Sequence, residues 1–264
     1  MGRQMAILDH SRTMRAALFA CGVLWFGPAT VVAAGTLDQT EASGRIEISA
    51  EPFGLFASTL SEGALREKWR GVERKLDDER VQLALCDGDR DHCVSPAALQ
   101  FLAIVDDAKA REGRARLGEI NRAINLAFRP MSDLAQYGAV DVWSSPLVTF
   151  THGAGDCEDY AIAKFAALRH AGIAADDLRI VIMRDTIRGE DHAVAAARLE
   201  GHWLMLDNRR MTMVEDVRFR NYRPIFVIDR DGVKRYQEAP MPALEERDLV
   251  SEATSHSGFE TPPM

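Results

Sequence analysis

Apolar residues recur at helical spacing through the first half of this chain and in short strand-like runs through the second. Residues 65–85 mix many charges with Trp69, Val72, Leu76, Leu83 and Leu85, the signature of a helix with one solvated face. Pro96 suits a first helical position, and Ala98, Phe101, Leu102 and Val105 continue a helix over 97–110. Leu117, Ile120 and Ile124 carry a third over 115–128, which Arg129-Pro130 ends. The stretch 137–150, broken by Trp143 and Pro146, is expected to be extended or looped. Helical spacing resumes at Cys157 with Tyr160, Ile162, Phe165, Ala166 and Leu168 and stops at Gly172. Asp156 is placed to cap this helix, with Asp159 in capping-box position.

Beyond Gly172 the pattern changes to β, in runs 178–183, 193–199, 203–206, 225–228 and 233–236. Glu200-Gly201 and Asp229-Arg230-Asp231-Gly232 supply turns, so the expected topology is a meander following a helix, and the fold class α+β.

Composition narrows the function. The 264 residues are 47% hydrophobic with net charge -8, enough to bury a sizeable core and poorly suited to nucleic acid, whose phosphates require clustered Lys and Arg. At the N-terminus Arg3, Arg12 and Arg15 precede the apolar run 16–26, and Val32-Ala33-Ala34 resembles a cleavage site, so residues 1–34 are expected to be a signal peptide that exports the chain. Gly27-Pro28 interrupts the run short of the roughly 20 residues a membrane span needs.

Loss of that segment removes Cys21 and leaves Cys86, Cys93 and Cys157. Either Cys86 and Cys93 close the small loop 87–92 and leave Cys157 a free thiol, or all three stay reduced. Asp87, Asp89 and Asp91 in that loop have a calcium-like spacing without the Gly and Glu that a calcium loop places at its sixth and twelfth positions.

Cys157 is the most informative of these residues because it opens a helix after Gly153-Ala154-Gly155. Unpaired N–H groups of a first helical turn favour a thiolate. His192 begins one β run and Asp207 ends the next, so an antiparallel hairpin through Glu200-Gly201 places them at the same end of a sheet. Cys, His and Asp in this order suit a nucleophile, a base and an orienting carboxylate. His152 is the main rival base; His170 lies a helix length from Cys157, and His202 sits at the wrong end of its strand.

The run Gly153-Ala154-Gly155-Asp156-Cys157-Glu158-Asp159-Tyr160-Ala161-Ile162-Ala163-Lys164, with Asp191-His192-Ala193-Val194 and Leu206-Asp207-Asn208, resembles the bacterial transglutaminase-like cysteine proteinases, whose members include the LapG-type periplasmic proteases. Asp141-Val142-Trp143 with Pro146 looks like the same family's upstream segment, and the resemblance covers about 121–236. It implies a papain-like, transglutaminase-like core with the nucleophile helix packed on an antiparallel sheet, a catalytic Cys157, His192 and Asp207, and a periplasmic location. It further implies cleavage of a large surface adhesin near its N-terminus at a di-alanine site, and sequestration by an inner-membrane cyclic-di-GMP receptor.

The expected organisation is thus a signal peptide over 1–34, a mostly helical region over 35–112, the catalytic core over 113–238 and a poorly ordered tail over 239–264. Asp156, Glu158 and Asp159 crowd the thiol with like charge, which disfavours its ionisation. Together with the resemblance, their hard oxygens make them candidate Ca2+ ligands. Trp143 is expected either to line the cleft or to pack in the core, and the Cys157 N–H is the better placed oxyanion donor. Acyl transfer to an amine, and a non-catalytic peptide-binding module, are the competing functions.

Overall fold

The structure, a computed structural model, describes residues 49–237. The expected signal peptide and tail lie outside the described residues. Near the start, β1 (Ala57–Thr59) precedes α1 (Ala64–Gly88), α2 (Pro96–Lys109) and α3 (Gly113–Ala127). Next come β2 (Arg129–Pro130), α4 (Asp133–Tyr137), α5 (Pro146–His152), β3 (Ala154–Gly155) and α6 (Cys157–His170). The strands β4 (Leu178–Asp185), β5 (Glu190–Leu199), β6 (His202–Leu206), β7 (Val214–Glu215), β8 (Tyr222–Asp229) and β9 (Gly232–Tyr236) complete the order.

Seven strands form one antiparallel sheet in the order β1-β9-β8-β4-β5-β6-β7, while β2 and β3 make a separate parallel pair. The protein is α+β, with helices against one face of the sheet. Alternation along the strands divides the core. Ile180 of β4 and Ala193, Ala195 and Ala197 of β5 join the cluster that contains α6, and Val181, Met183, Val194 and Ala196 join a cluster on the opposite face with Trp203 and Tyr236. The three alanines present little bulk to α6, so the helix lies close on the sheet with 160–168 buried throughout. Residues from α1, α2 and α3 belong to the same apolar cluster as α6.

Two local expectations change. The segment 137–150 is not simply extended or looped: Ser132 caps α4, and Pro146 occupies the first turn of α5. Helices of five and seven residues are too short to display an apolar period in sequence. Both oxygens of buried Glu79 accept from Leu147 N–H at 3.1 and 3.2 Å, satisfying the start of α5 from a distant part of the chain. Nor is the sheet a simple meander. β4, β5 and β6 are successive neighbours, but β8 returns to the other edge of β4, pairing Ile180 with Ile228. A central strand buried on both faces must satisfy its backbone on both edges, and apolar runs do not state which strand does so.

Cys86 and Cys93 are disulfide-bonded, tying the end of α1 to the approach to α2, and Cys157 is free. The acidic loop is internally paired: Asp87 with Arg90, and Asp89 with His92 at 2.9 Å. No helix among the described residues is long and apolar enough to cross a membrane.

Candidate active site

Two glycines shape the approach to Cys157 for different reasons. Gly153 ends α5 at φ 59, a left-handed conformation in which side chains are strained. Gly155 needs its missing side chain: a Cβ there would lie 2.6 Å from Asp159 Oδ2 and 2.7 Å from Asp159 Cβ. Pairing of β2 with β3 fixes the loop from behind, and Tyr160 Oη donates to Phe128 O at 2.7 Å, holding the first turn of α6 to the end of α3.

Cys157 is half-buried at the first position of α6. Its Sγ donates to Glu158 Oε2 at 3.1 Å. Burial raises the thiol pKa, the Glu158 charge and hydrogen bond and the Asp156 charge add to this, and the Ala193 N–H opposes them. The helix N-terminus alone therefore does not make this thiol acidic.

His192 lies in β5 opposite Met183 of β4, and its Nε2 is 2.9 Å from Asp207 Oδ1, both side chains being buried. The Glu200-Gly201 turn, with both residues at positive φ, brings the two strands into this arrangement. His192 Nδ1 is buried without a hydrogen-bond partner among the described residues. His192 and Cys157 line the same cavity. Of the rival histidines, His152 bonds the Tyr137 hydroxyl at 3.2 Å, His170 packs against Phe101 at the far end of α6, and exposed His202 pairs with Leu199 beyond the hairpin turn.

Asp207 is set by groups the sequence did not single out. Asn125 Nδ2 donates to Asp207 O at 3.0 Å and Arg210 O at 2.9 Å, and Asn121 Nδ2 donates to Arg210 O and Met211 O. These asparagines are one turn apart on the buried face of α3, and polar residues at core positions of an amphipathic helix were the available signal. The Arg209 N–H donates to Asp207 Oδ1 at 3.0 Å. Burial works against the Asp207 carboxylate, yet its pKa is lowered by the His192 hydrogen bond and charge, the Arg209 N–H and the Lys164 charge.

The acidic residues divide differently from expectation. Asp133, Asp156 and Glu158 offer carboxylate oxygens within 4.8 Å of one another. Asp159 is outside this group: its Oδ1 accepts from Ser144 N–H at 2.8 Å, and its Oδ2 is buried without a hydrogen-bond partner among the described residues. Asp133, from the start of α4, takes the third place in the group. Its distance from the Asp-Cys-Glu-Asp run gave the sequence no spacing signal. Asp156 occupies the cap position of α6 without making a side-chain cap hydrogen bond, because its carboxylate joins this group. Burial first, then neighbouring negative charge, pushes Asp156 up to about 9, and burial pushes Asp159 up to about 7. Buried Asp156 Oδ1 accepts no hydrogen bond among the described residues. Hard oxygens of like charge with an orphaned acceptor fit a divalent cation such as Ca2+.

The shared cavity is about 460 Å³ and is lined by Cys157, His192, the three clustered carboxylates and apolar walls that include Trp143, Ile182 and Phe226. Leu134 and Val140 stand exposed at its edge. Trp143 lines the cavity, but its Nε1 donates to Asp141 Oδ1 at 3.0 Å and is thereby engaged away from an oxyanion. The Cys157 backbone N–H, at the first helical position, remains the better placed donor.

The family described as bacterial transglutaminase-like cysteine proteinase, BTLCP, matches residues 82–228, more than half of the chain and from earlier than the motifs alone suggested. Among solved structures, Legionella pneumophila LapG is 23% identical with a TM-score of 0.49, over 59% of this chain and 86% of that one. Its calcium-bound form is 23% identical with a TM-score of 0.47, over 55% and 82%. Its EGTA-treated form gives 23% and 0.49, over 59% and 84%. No curated protein matches the chain by sequence.

Proposed function

Because the chain belongs to the bacterial transglutaminase-like cysteine proteinase family, we propose that it is a Ca2+-dependent cysteine endopeptidase acting through Cys157, His192 and Asp207. The observation that carries this reading is the buried His192–Asp207 pair, with the second imidazole nitrogen unpartnered in the cavity that Cys157 lines. With Nε2 committed to Asp207, Nδ1 is the nitrogen left to take the thiol proton. Cys157 Sγ then attacks the scissile carbonyl, the Cys157 N–H donates to the oxyanion, and His192 returns its proton to the leaving amine. A water deprotonated by the same nitrogen hydrolyses the thioester and restores the thiol.

Asp133, Asp156 and Glu158 are the residues that would hold Ca2+, whose charge would offset the carboxylate repulsion that adds to burial in keeping the Cys157 thiol protonated. The cavity, apolar along Leu65, Trp143, Ile182 and Phe226 and acidic at the carboxylates, is open enough to take a peptide segment beside Cys157. In keeping with the LapG-type resemblance of the Cys157 run, the proposed substrate is a large surface adhesin cut near its N-terminus at a di-alanine site. The proposed site of action is the periplasm, the proposed consequence is release of the adhesin with an effect on biofilm, and the proposed regulator is an inner-membrane cyclic-di-GMP receptor that sequesters the protease.

Cells carrying wild-type protein and cells carrying Cys157→Ala are compared for surface-protein release, alongside cleavage of a di-alanine peptide by the purified chain in Ca2+ or EGTA. The variant is expected to lose about four orders of magnitude in turnover or more, and EGTA to abolish cleavage without unfolding. Equal release by variant and wild type defeats the protease assignment; full cleavage in excess EGTA defeats the calcium requirement.

A further inference from the structure

Lys164 is a charged side chain with no exposure, and the chemistry proposed above leaves it unused. It lies on α6 seven residues after Cys157, two turns and about 10 Å along the same helix. Its Nζ donates to Leu206 O at 3.0 Å, one peptide before Asp207, and lies 5.8 Å from the centre of the Tyr160 ring. Burying an ammonium is costly unless hydrogen bonds and an opposite charge compensate it. Packing alone therefore does not account for a lysine at this place.

The neighbouring carboxylate has the complementary deficit. Asp207 is fully buried, and its Oδ1 is taken by His192 and the Arg209 N–H. Its Oδ2 accepts no hydrogen bond among the described residues, and the nearer cation is the half-exposed Arg210 guanidinium at 3.5 Å. Water screens Arg210, whereas Lys164 acts through the protein interior, where a charge is felt more strongly.

We infer that Lys164 is a positioning residue for catalysis, whose buried ammonium holds the Leu206–Asp207 backbone to the nucleophile helix and keeps Asp207 anionic against His192. This inference rests on the proposed catalytic roles of Cys157, His192 and Asp207. The start and the middle of α6 then serve one site: Cys157 opens the helix, and Lys164, two turns on, sets the carboxylate that orients the base. Burial, partly opposed by the Asp207 charge, brings the Lys164 pKa down to about 7, so the ammonium is fully present only below neutral pH. Facing this pair are the Tyr160 ring and Leu206 O at Lys164, and His192, the Arg209 N–H and Arg210 at Asp207.

The test uses the Ca2+-loaded chain in two variants, Lys164→Met, which removes charge and donor, and Lys164→Gln, which keeps an N–H donor without charge. Four quantities are read: kcat and KM on a di-alanine peptide, Tm, and the titration of the Asp207 carboxyl by 13C NMR, assigned by its loss in Asp207→Asn. Removing the positive charge raises the pH at which Asp207 protonates, by about half a unit or more in both variants. The loss is expected in kcat rather than KM, about tenfold or more in Lys164→Met and smaller in Lys164→Gln, with Tm lowered more in Lys164→Met, where Leu206 O loses its side-chain donor, than in Lys164→Gln. An Asp207 titration that stays in place, a kcat within twofold of wild type in Lys164→Met, or failure of both variants to fold assigns Lys164 to structure alone and overturns the inference. If wild type does not cleave the peptide, or Cys157→Ala cleaves it equally, the protease reading is what fails, while the Asp207 titration still reports on Lys164.

Discussion

Gly155 and Asp133 show how single side chains, present or missing, hold the region around the thiol. At Gly155 a methyl group would collide with Asp159, which is itself bonded to Ser144 N–H in the buried interior. Gly155→Ala is therefore expected to lower stability by about 1–3 kcal/mol, as overpacking at a rigid site does, and to cut turnover by displacing the loop that carries Cys157. A Tm equal to wild type would contradict the collision. Asp133 and Asp159 make a paired comparison. Asp133→Asn removes one charge from the carboxylate group and is expected to weaken Ca2+ binding by about tenfold or more. Asp159→Asn, outside that group, should change Ca2+ affinity far less and reduce Tm instead. Calorimetric titration of both variants reads the difference, and the reverse ranking would restore Asp159 as the third ligand.

Among the secondary-structure elements, α3 is the one whose contribution is easiest to overlook. It lies away from the cavity lining, but Asn125 spans Asp207 O and Arg210 O and so braces the turn that presents the carboxylate. Asn125→Ala takes the side-chain donor from Asp207 O, while Arg210 O keeps Asn121 Nδ2 at 3.0 Å; the cost is about 1–3 kcal/mol, and Asp207 is freed to drift from His192. The expected result is a lower kcat with KM little changed, together with a lower Tm. Unaltered kcat in a destabilised variant would restrict Asn125 to folding. α1 has a comparable role at a distance, since buried Glu79 meets the start of α5. Burial raises the Glu79 pKa, and the Ser145, Leu147 and Val148 hydrogen bonds that oppose this are its reason for being there.

For the molecule as a whole, the carboxylate group couples stability to pH. Asp156 titrates near 9 in the fold against an ordinary value of about 3.9 unfolded. A carboxyl raised in this way favours the folded state while protonated, so its contribution is complete below about pH 4 and is lost as pH rises toward 9. Ca2+ requires the ionised carboxylates and offsets the repulsion that grows over that range. The increase in Tm on adding Ca2+, relative to EGTA at the same pH, is thus expected to grow from pH 5 to pH 7.5. Other shifted groups such as His170 and Lys164 are common to both conditions and largely cancel in the difference. Differential scanning fluorimetry across this range checks it, and a Ca2+ increment that shrinks with pH would contradict the assignment.

Much of this protein could be read from local order in the chain. The phase of Trp69 and Val72, of Ala98 and Phe101, and of Leu117 and Ile120 placed three helices within a few residues of their observed limits. Glu200-Gly201 sufficed to bring His192 and Asp207 to one end of the sheet, because a two-residue turn fixes which residues of its strands are neighbours. What local order could not state depends on residues far apart in sequence. The return of β8 to the free edge of β4, the arrival of Asp133 beside Asp156 and Glu158, the bracing of the turn 207–211 by Asn121 and Asn125, and the burial of Lys164 against Leu206 O are such cases. Periodicity records which face of an element seeks the core, whereas these contacts are chosen by which buried backbone and charged groups still lack a partner once the elements have packed.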